Sequence, residues 1–149
     1  MRRASRTIAL LGLVAASAVL LVAGPARGQD SAQFEVIIVK ATNDGNSMDT
    51  ALNKYAHLLK GKGYTNLSKL GSTAFALAKG AARTVTIVGN LKAEITYKSE
   101  INKRVAFKCQ ITKGGKAQAT VNYSVPRGGK TVVVVPMGSV GYMLIIHVR

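Results

Sequence analysis

The sequence predicts a mostly β fold of the α+β class: an antiparallel β-sandwich-like domain opened by a strand–helix unit, with one N-terminal helix. Three features of the sequence support this. A run of β-forming residues comes first, a segment with helical spacing follows, and from Tyr64 onward apolar and polar residues alternate with a period of two. Seven or eight strands after one helix favour a sandwich whose side or end the helix covers.

Residues 33–41 are predicted to form a strand inside a sheet. Val36, Ile37, Ile38 and Val39 follow one another, so both faces of this strand are apolar. An apolar residue on each face favours burial on both sides. We therefore expect a central position. Residues 42–46 are turn-forming and end the strand.

One helix is predicted, beginning near Met48. Its apolar residues recur every three or four positions, at Met48, Ala51, Leu52, Tyr55, Leu58 and Leu59. Asn46 or Ser47 is expected to cap its first free amides. Gly61 and Gly63 are expected to end it.

The rest of the chain is predicted to be strands. Those with one apolar and one polar face lie at 91–98, 105–112 and 117–125, and glycine-containing turns join them into an antiparallel meander. Other strands are expected at 64–70, 73–77, 84–88, 131–135 and 142–148. No internal repeat or linker divides residues 29–149, so we expect a single β-rich globular domain.

Residues 1–28 are predicted to be a secretory signal peptide. Arginines precede an apolar stretch from Ile8 to Ala23, and small residues precede a cleavage point before Gln29. Cleavage after Ala26 is the alternative, and a retained N-terminal anchor is another. The apolar stretch is shorter than the roughly 20 residues that a spanning helix needs. We expect an extracytoplasmic protein, in the periplasm, at the cell surface or secreted, with no transmembrane helix after cleavage.

The predicted mature chain is strongly basic and has one cysteine. Removing residues 1–28 takes away four of the 21 basic residues and none of the six acidic ones, which leaves a formal charge of +11 on 121 residues. No disulfide can form within the chain. Cys109 alternates with Val105, Phe107 and Ile111, which predicts a buried thiol. A reactive or intermolecular thiol is the alternative if its strand lies at an edge.

Four segments together resemble a group of small exported bacterial proteins of unknown function. They are the opening FEVIIVKATN at 34–43, the helix containing Asp49, Leu52 and Leu59, the segment VPRGG at 125–129, and the closing GYMLIIHV at 141–148. The resemblance spans most of residues 34–148. It implies an extracytoplasmic setting and one compact domain, and it supplies no catalytic or binding residues.

The sequence predicts no catalytic, cofactor-binding or metal-binding residue, and therefore no enzyme. His57 and His147 each lack a second ligand at metal-binding spacing, and zinc needs three or four ligands. The six acidic residues are scattered, so no facing carboxyl pair is indicated. The glycine turns at 113–116 and 127–130 lack the spacing of a phosphate-binding loop.

Basic residues concentrate on the polar side and turns of the predicted meander. They are Lys92, Lys98, Lys103, Arg104, Lys108, Lys113 and Lys116, and only Glu94 and Glu100 oppose them. If strands 91–98 and 105–112 pair, these charges share a side and attract polyanions in a salt-sensitive way. The alternative is that the lysines only solvate a sheet face and discourage edge pairing. Few aromatic residues are available for base stacking, so no specific nucleic acid is expected.

These features predict a non-enzymatic exported domain that binds an anionic envelope or extracellular polymer through the seven basic residues. One alternative is a structural or assembly subunit that docks a partner protein by β-strand addition, with the final strand at 142–148 as an open strand. The other is a small hydrolase with His57 or His147 as the base. Salt dependence separates the first two, since main-chain hydrogen bonds persist in high salt.

Overall fold

Two sheets and a short helical segment make up residues 31–149, which are the residues that the computed structural model describes. The strands are β1 (Ser31–Thr42), β2 (Ser47–Met48), β3 (Asn66–Ala78), β4 (Ala82–Val88), β5 (Leu91–Ile101), β6 (Arg104–Lys113), β7 (Lys116–Pro126), β8 (Lys130–Met137) and β9 (Val140–Val148). A 3-10 helix, Thr50–Tyr55, continues into the single turn of α1 (Ala56–Leu59). The predicted signal peptide at 1–28 lies outside the described residues.

The strands form a sandwich-like arrangement, which confirms the predicted fold class. The five-stranded sheet has the order β2-β3-β1-β9-β8, and the four-stranded sheet has the order β4-β5-β6-β7. Every strand pairing is antiparallel except the short parallel one between β2 and β3. The sheet β4-β5-β6-β7 contains the predicted meander.

The main core lies between the two sheets and is centred on aromatic rings. Phe34 of β1 has its ring centroid 5.4 Å from that of Phe107 on β6 and 5.9 Å from that of Phe75 on β3. Phe107 in turn stacks on Tyr123 of β7 at 5.4 Å. The contact between Phe34 and Phe107 joins the two sheets, and aromatic pairs at such distances add to the free energy gained from buried area.

A second core lies on the other face of the five-stranded sheet, beneath the helical segment. Leu52, Tyr55 and Leu59 pack there against Ile37 of β1 and Ile145 of β9. Val36 and Phe34 face the main core, so β1 is buried on both faces as predicted. The sequence pattern of one apolar residue after another reflects these two cores.

The helix differs from the prediction in position and length. It is not N-terminal, because β1 and β2 precede it. Ser47 and Met48 pair with β3, and the amide of Asp49 donates to the carbonyl of Leu67, so helical geometry starts only at Thr50. Asp49 therefore caps the segment, accepting from the amide of Ala51 at 3.2 Å, and the predicted caps Asn46 and Ser47 are wrong. None of the helical segments within residues 31–149 has the length and apolar character needed to cross a bilayer.

β3 replaces the two strands predicted at 64–70 and 73–77. Ile38 pairs with Gly71 and Val39 pairs with Lys69, so Leu70 is an extra residue in the ladder, a β-bulge. The bulge shifts the alternation by one residue. Leu67 consequently faces the helical segment whereas Phe75 faces the main core.

Candidate functional site

The four-stranded sheet turns polar side chains outward in rows set by strand register. One row contains Thr84, Glu94, Gln110 and Thr120; the next contains Ala82, Thr96, Lys108 and Asn122; and on the other side lie Thr86, Lys92 and Thr112. All of these residues are exposed or half-buried. We call this surface the polar face.

Lys92, Lys98 and Lys108 lie on or beside the polar face. Lys92 and Lys98 are exposed, and Lys108 is half-buried between Thr96 and Asn122. The row of Lys92 and the row of Lys108 are about 13 Å apart along the strands, at roughly 3.3 Å per residue. Lys98 is the extra residue of a bulge between Tyr97 and Ser99. Register thus spaces these lysines along one side of the sheet.

The other four predicted binding residues divide between the two ends of the sheet. Lys103 and Arg104 lie at the β5–β6 turn, and Lys113 and Lys116 close the β6–β7 turn at the opposite end. Arg104 is committed to the fold, since its guanidinium donates to the hydroxyl of Ser124 at 3.1 Å and to the carbonyl of Ser124 at 2.6 Å. The basic residues therefore extend along the sheet rather than forming one compact cluster.

Glu94 and Glu100 are the two acidic residues near these lysines in the sequence, and only Glu94 lies on the polar face. Glu94 occupies the row between Lys92 and Lys108. Glu100 is bound at the end of the sandwich by Arg127, with both of its oxygens 2.8 Å from the guanidinium. The hydrogen bonds from Arg127 lower the pKa of Glu100, despite the opposing effect of desolvation. Glu100 is thus neutralised by its own partner.

Arg127 also explains the VPRGG segment as a structural element. It donates to the carbonyls of Ser31 and Arg149, each at 2.9 Å, and so joins the end of β5 to both ends of the described chain. The backbone of Gly128 and Gly129 bonds to Val148 at 2.7 and 3.0 Å. These contacts connect the two sheets.

A second group of charged residues, which the sequence analysis missed, lies on the five-stranded sheet beside the helical segment. Glu35 is opposite His147 in the β1–β9 ladder, with its Oε1 3.6 Å from His147 Nδ1 and 2.7 Å from Arg149 Nη2. Desolvation raises the pKa of Glu35, but Arg149 and His147 outweigh it and the net shift is downward. The sequence places no carboxylate at metal-binding spacing from His147, and it is strand pairing that brings Glu35 beside it.

A shallow cleft of about 230 Å³ adjoins this group. Its lining residues are Lys54, Tyr55, Lys130, His147 and Arg149. Lys54 also stacks over the Tyr55 ring, with its Nζ 5.3 Å from the centroid. The other histidine, His57, is exposed on the helical segment.

Cys109 is buried in the main core, as predicted from its alternation. It is 1% exposed, and desolvation raises the pKa of its thiol to about 11. Within residues 31–149 there is no group of three or more histidine, cysteine, aspartate or glutamate side chains that could hold a metal ion.

The last strand is not the open strand that the sequence analysis expected. β9 lies between β1 and β8 and pairs with both along its length. Its sequence is apolar because both faces of the five-stranded sheet are covered at this position. The edge strands of the four-stranded sheet are β4 and β7. No protein-family model matches the chain, and comparison with curated proteins and with solved structures likewise found no match.

Proposed function

We propose that this chain is exported and that its folded domain binds anionic polymers or surfaces electrostatically, without catalysing a reaction. The binding surface is the polar face together with the basic turns at its two ends. Its contact residues are Lys92, Lys98, Lys103, Arg104, Lys108, Lys113 and Lys116. Acidic polysaccharide, anionic lipid head groups, wall polymers and extracellular DNA are the polyanions available after export.

The observation that carries this proposal is the imbalance of charge along the polar face. Lys92, Lys98 and Lys108 stand among threonine, glutamine and asparagine side chains with Glu94 as the opposing carboxylate on that face, and Glu100 is paired with Arg127. A linear polyanion can contact charges spaced along a sheet without any conformational change in the protein. Such binding is multivalent and weakens as salt screens the charges.

Retention on immobilised alginate and on vesicles containing anionic phospholipid tests the proposal across a salt series. The protein is purified from the extracytoplasmic fraction of a bacterial host that expresses the full chain, and its first residue is sequenced, with Gln29 expected. Changing Lys92, Lys98, Lys108 and Lys113 to Gln should weaken binding at low salt by at least roughly tenfold. Arg104 is left unchanged because it bonds to Ser124.

The matched control changes four exposed lysines elsewhere to Gln: Lys40, Lys62, Lys69 and Lys79. Both variants lose four charges, so a difference between them reports the position of the charges rather than their number. We expect the control to bind nearly as the wild type does. Equal weakening in the two variants would contradict a binding face, and retention that is indifferent to salt would contradict electrostatic binding altogether.

Docking of a partner protein by β-strand addition is the second candidate, and the free edge of β7 is the observation that favours it. Such binding survives high salt, so the same salt series separates it from the first.

A small hydrolase with His57 or His147 as its base ranks last. Replacing both histidines by Gln tests it, because any detected hydrolysis that persists in that variant excludes this role.

A further inference from the structure

The four sheet edges of residues 31–149 differ in how they are protected against pairing with another strand. β8 carries Pro136, β4 is only seven residues long and contains Arg83, and β3 is bulged at Leu70 and partly covered by β2. Proline, charge, bulges and short length all discourage edge-to-edge association. These three edges are therefore protected.

β7 is less protected than these edges, although a bulge interrupts it at Gln118, since Ile111 pairs with Ala119 and Thr112 pairs with Ala117. It has eleven residues, begins with Lys116 and ends with Pro126, and carries no charged residue between them. On its inward-facing side, Ala119 pairs with Ile111 and Val121 pairs with Cys109. Ile111 and Cys109 are buried, yet Ala119 is exposed and Val121 is 40% exposed, because no strand lies beyond β7. The edge thus presents both main-chain N–H and C=O groups that can pair with another strand and apolar side chains.

We propose that β7 pairs with β7 of a second copy of this chain, antiparallel and across a two-fold axis at Val121. The uncharged stretch 117–125 has its midpoint there. Around this axis Val121 faces its own equivalent, Ala119 faces Tyr123, and Thr120 faces Asn122. On the inward side the small Ala119 thus lies opposite the large Tyr123, and on the outer side the polar Thr120 lies opposite the polar Asn122. Both are favourable cross-strand pairs.

The placement of charge also fits a second copy. Because the two strands are antiparallel, the end of β7 that carries Lys116 lies beside the end that carries Pro126 in the other copy, so no lysine of β7 faces a lysine. An isologous contact of this kind closes after two copies. The dimer joins two four-stranded sheets into one sheet of eight strands and doubles the width of the polar face across the strands. This inference does not depend on the proposed function.

The salt response of the dimer is opposite in sign to that of polyanion binding. Each copy has a large excess of basic residues, so the two copies repel at low salt. Screening removes this repulsion, and the dimer dissociation constant should fall by roughly tenfold or more between 20 and 500 mM NaCl. Polyanion binding weakens over the same range.

Sedimentation equilibrium of the purified protein tests the dimer. Val121→Lys places two like charges at the two-fold axis and should give a monomer at every salt concentration. Val121→Thr keeps the β-branched shape and should remain dimeric. Because Val121 is partly exposed, neither change opens a cavity in the core, and circular dichroism checks that both variants fold.

Cross-linking tests the register. Val121→Cys should form a disulfide-linked dimer under mild oxidation, whereas Thr86→Cys on the opposite edge of the same sheet should not. A wild-type protein that stays monomeric at millimolar concentration in 500 mM NaCl overturns the proposal. A dimer that survives Val121→Lys, or one that cross-links equally through Thr86→Cys, overturns it as well.

Discussion

The reactivity of the Cys109 thiol, which lies in the main core, reports whether the protein is folded. Burial raises the pKa of its thiol to about 11, so at pH 8 only about one molecule in a thousand carries the reactive thiolate. We expect no reaction of the native protein with Ellman's reagent over minutes and complete reaction in urea. The Val121→Cys variant, with an exposed thiol on the adjacent strand, should react at once. Rapid labelling of the native wild type would show that the thiol is accessible.

Arg127 connects Glu100 to the two ends of the described chain. Its planar guanidinium makes two parallel bonds to one carboxylate, a geometry that lysine cannot reproduce. Arg127→Lys should lower the thermal midpoint by roughly 4 °C or more. Lys62→Gln, at an exposed position outside every strand, is the control and should leave the midpoint unchanged.

The ion pair between Glu100 and Arg127 also predicts a pH dependence. The pKa of Glu100 lies below its ordinary value of 4.5, so its contribution to stability is complete above that pH and is lost as the pH falls through the lowered pKa. Between pH 5 and roughly pH 3, the free energy of unfolding should fall less steeply in Glu100→Gln than in the wild type. The free energy of unfolding is measured by urea titration at each pH. If it falls equally steeply with pH in both proteins, Arg127 does not hold the carboxylate.

The bulge at Leu70 sets which residues of β3 are buried. Deleting Leu70 restores a simple alternation, so either Leu67 or Phe75 must turn to the wrong face of the sheet. We expect the deletion to abolish cooperative folding. Leu70→Ser keeps the length, and because Leu70 is 48% exposed it should change the free energy of unfolding by less than about 0.5 kcal/mol. Urea unfolding followed by circular dichroism distinguishes these outcomes.

Alternation predicted the strands of the meander and the central position of β1, because side-chain burial there follows directly from the sequence. It failed for β3, where the extra residue Leu70 breaks one strand into two apparent ones. It also failed for β9, whose apolar run fits an open strand or an interior one equally well. The ladder that brings Glu35 beside His147 joins residues 112 positions apart, and no local pattern reveals such a pairing.

The two cores share strands, so the whole molecule should unfold as one unit. β1 and β9 contribute side chains to both cores. Phe34→Ala in the main core should cost about 3–5 kcal/mol, and Leu52→Ala beneath the helical segment about 2–5 kcal/mol. For each protein, far-UV circular dichroism and exposure of Cys109 should report the same urea midpoint. Separate midpoints for the two probes would show that the helical segment unfolds on its own.

Both ends of the described chain leave the fold at the same place. The amide of Arg149 donates to the carbonyl of Gln33 at 2.9 Å, and Arg127 holds Ser31 nearby. Lys113 and Lys116 lie at the far end of the sandwich. Residues 31–149 attached to a solid support through either of these two ends therefore stand in the same orientation, with that lysine-bearing turn pointing away from the support. The same proximity makes a circular permutant feasible, in which a short linker joins the present ends and new ends open at the turn of Gly114 and Gly115.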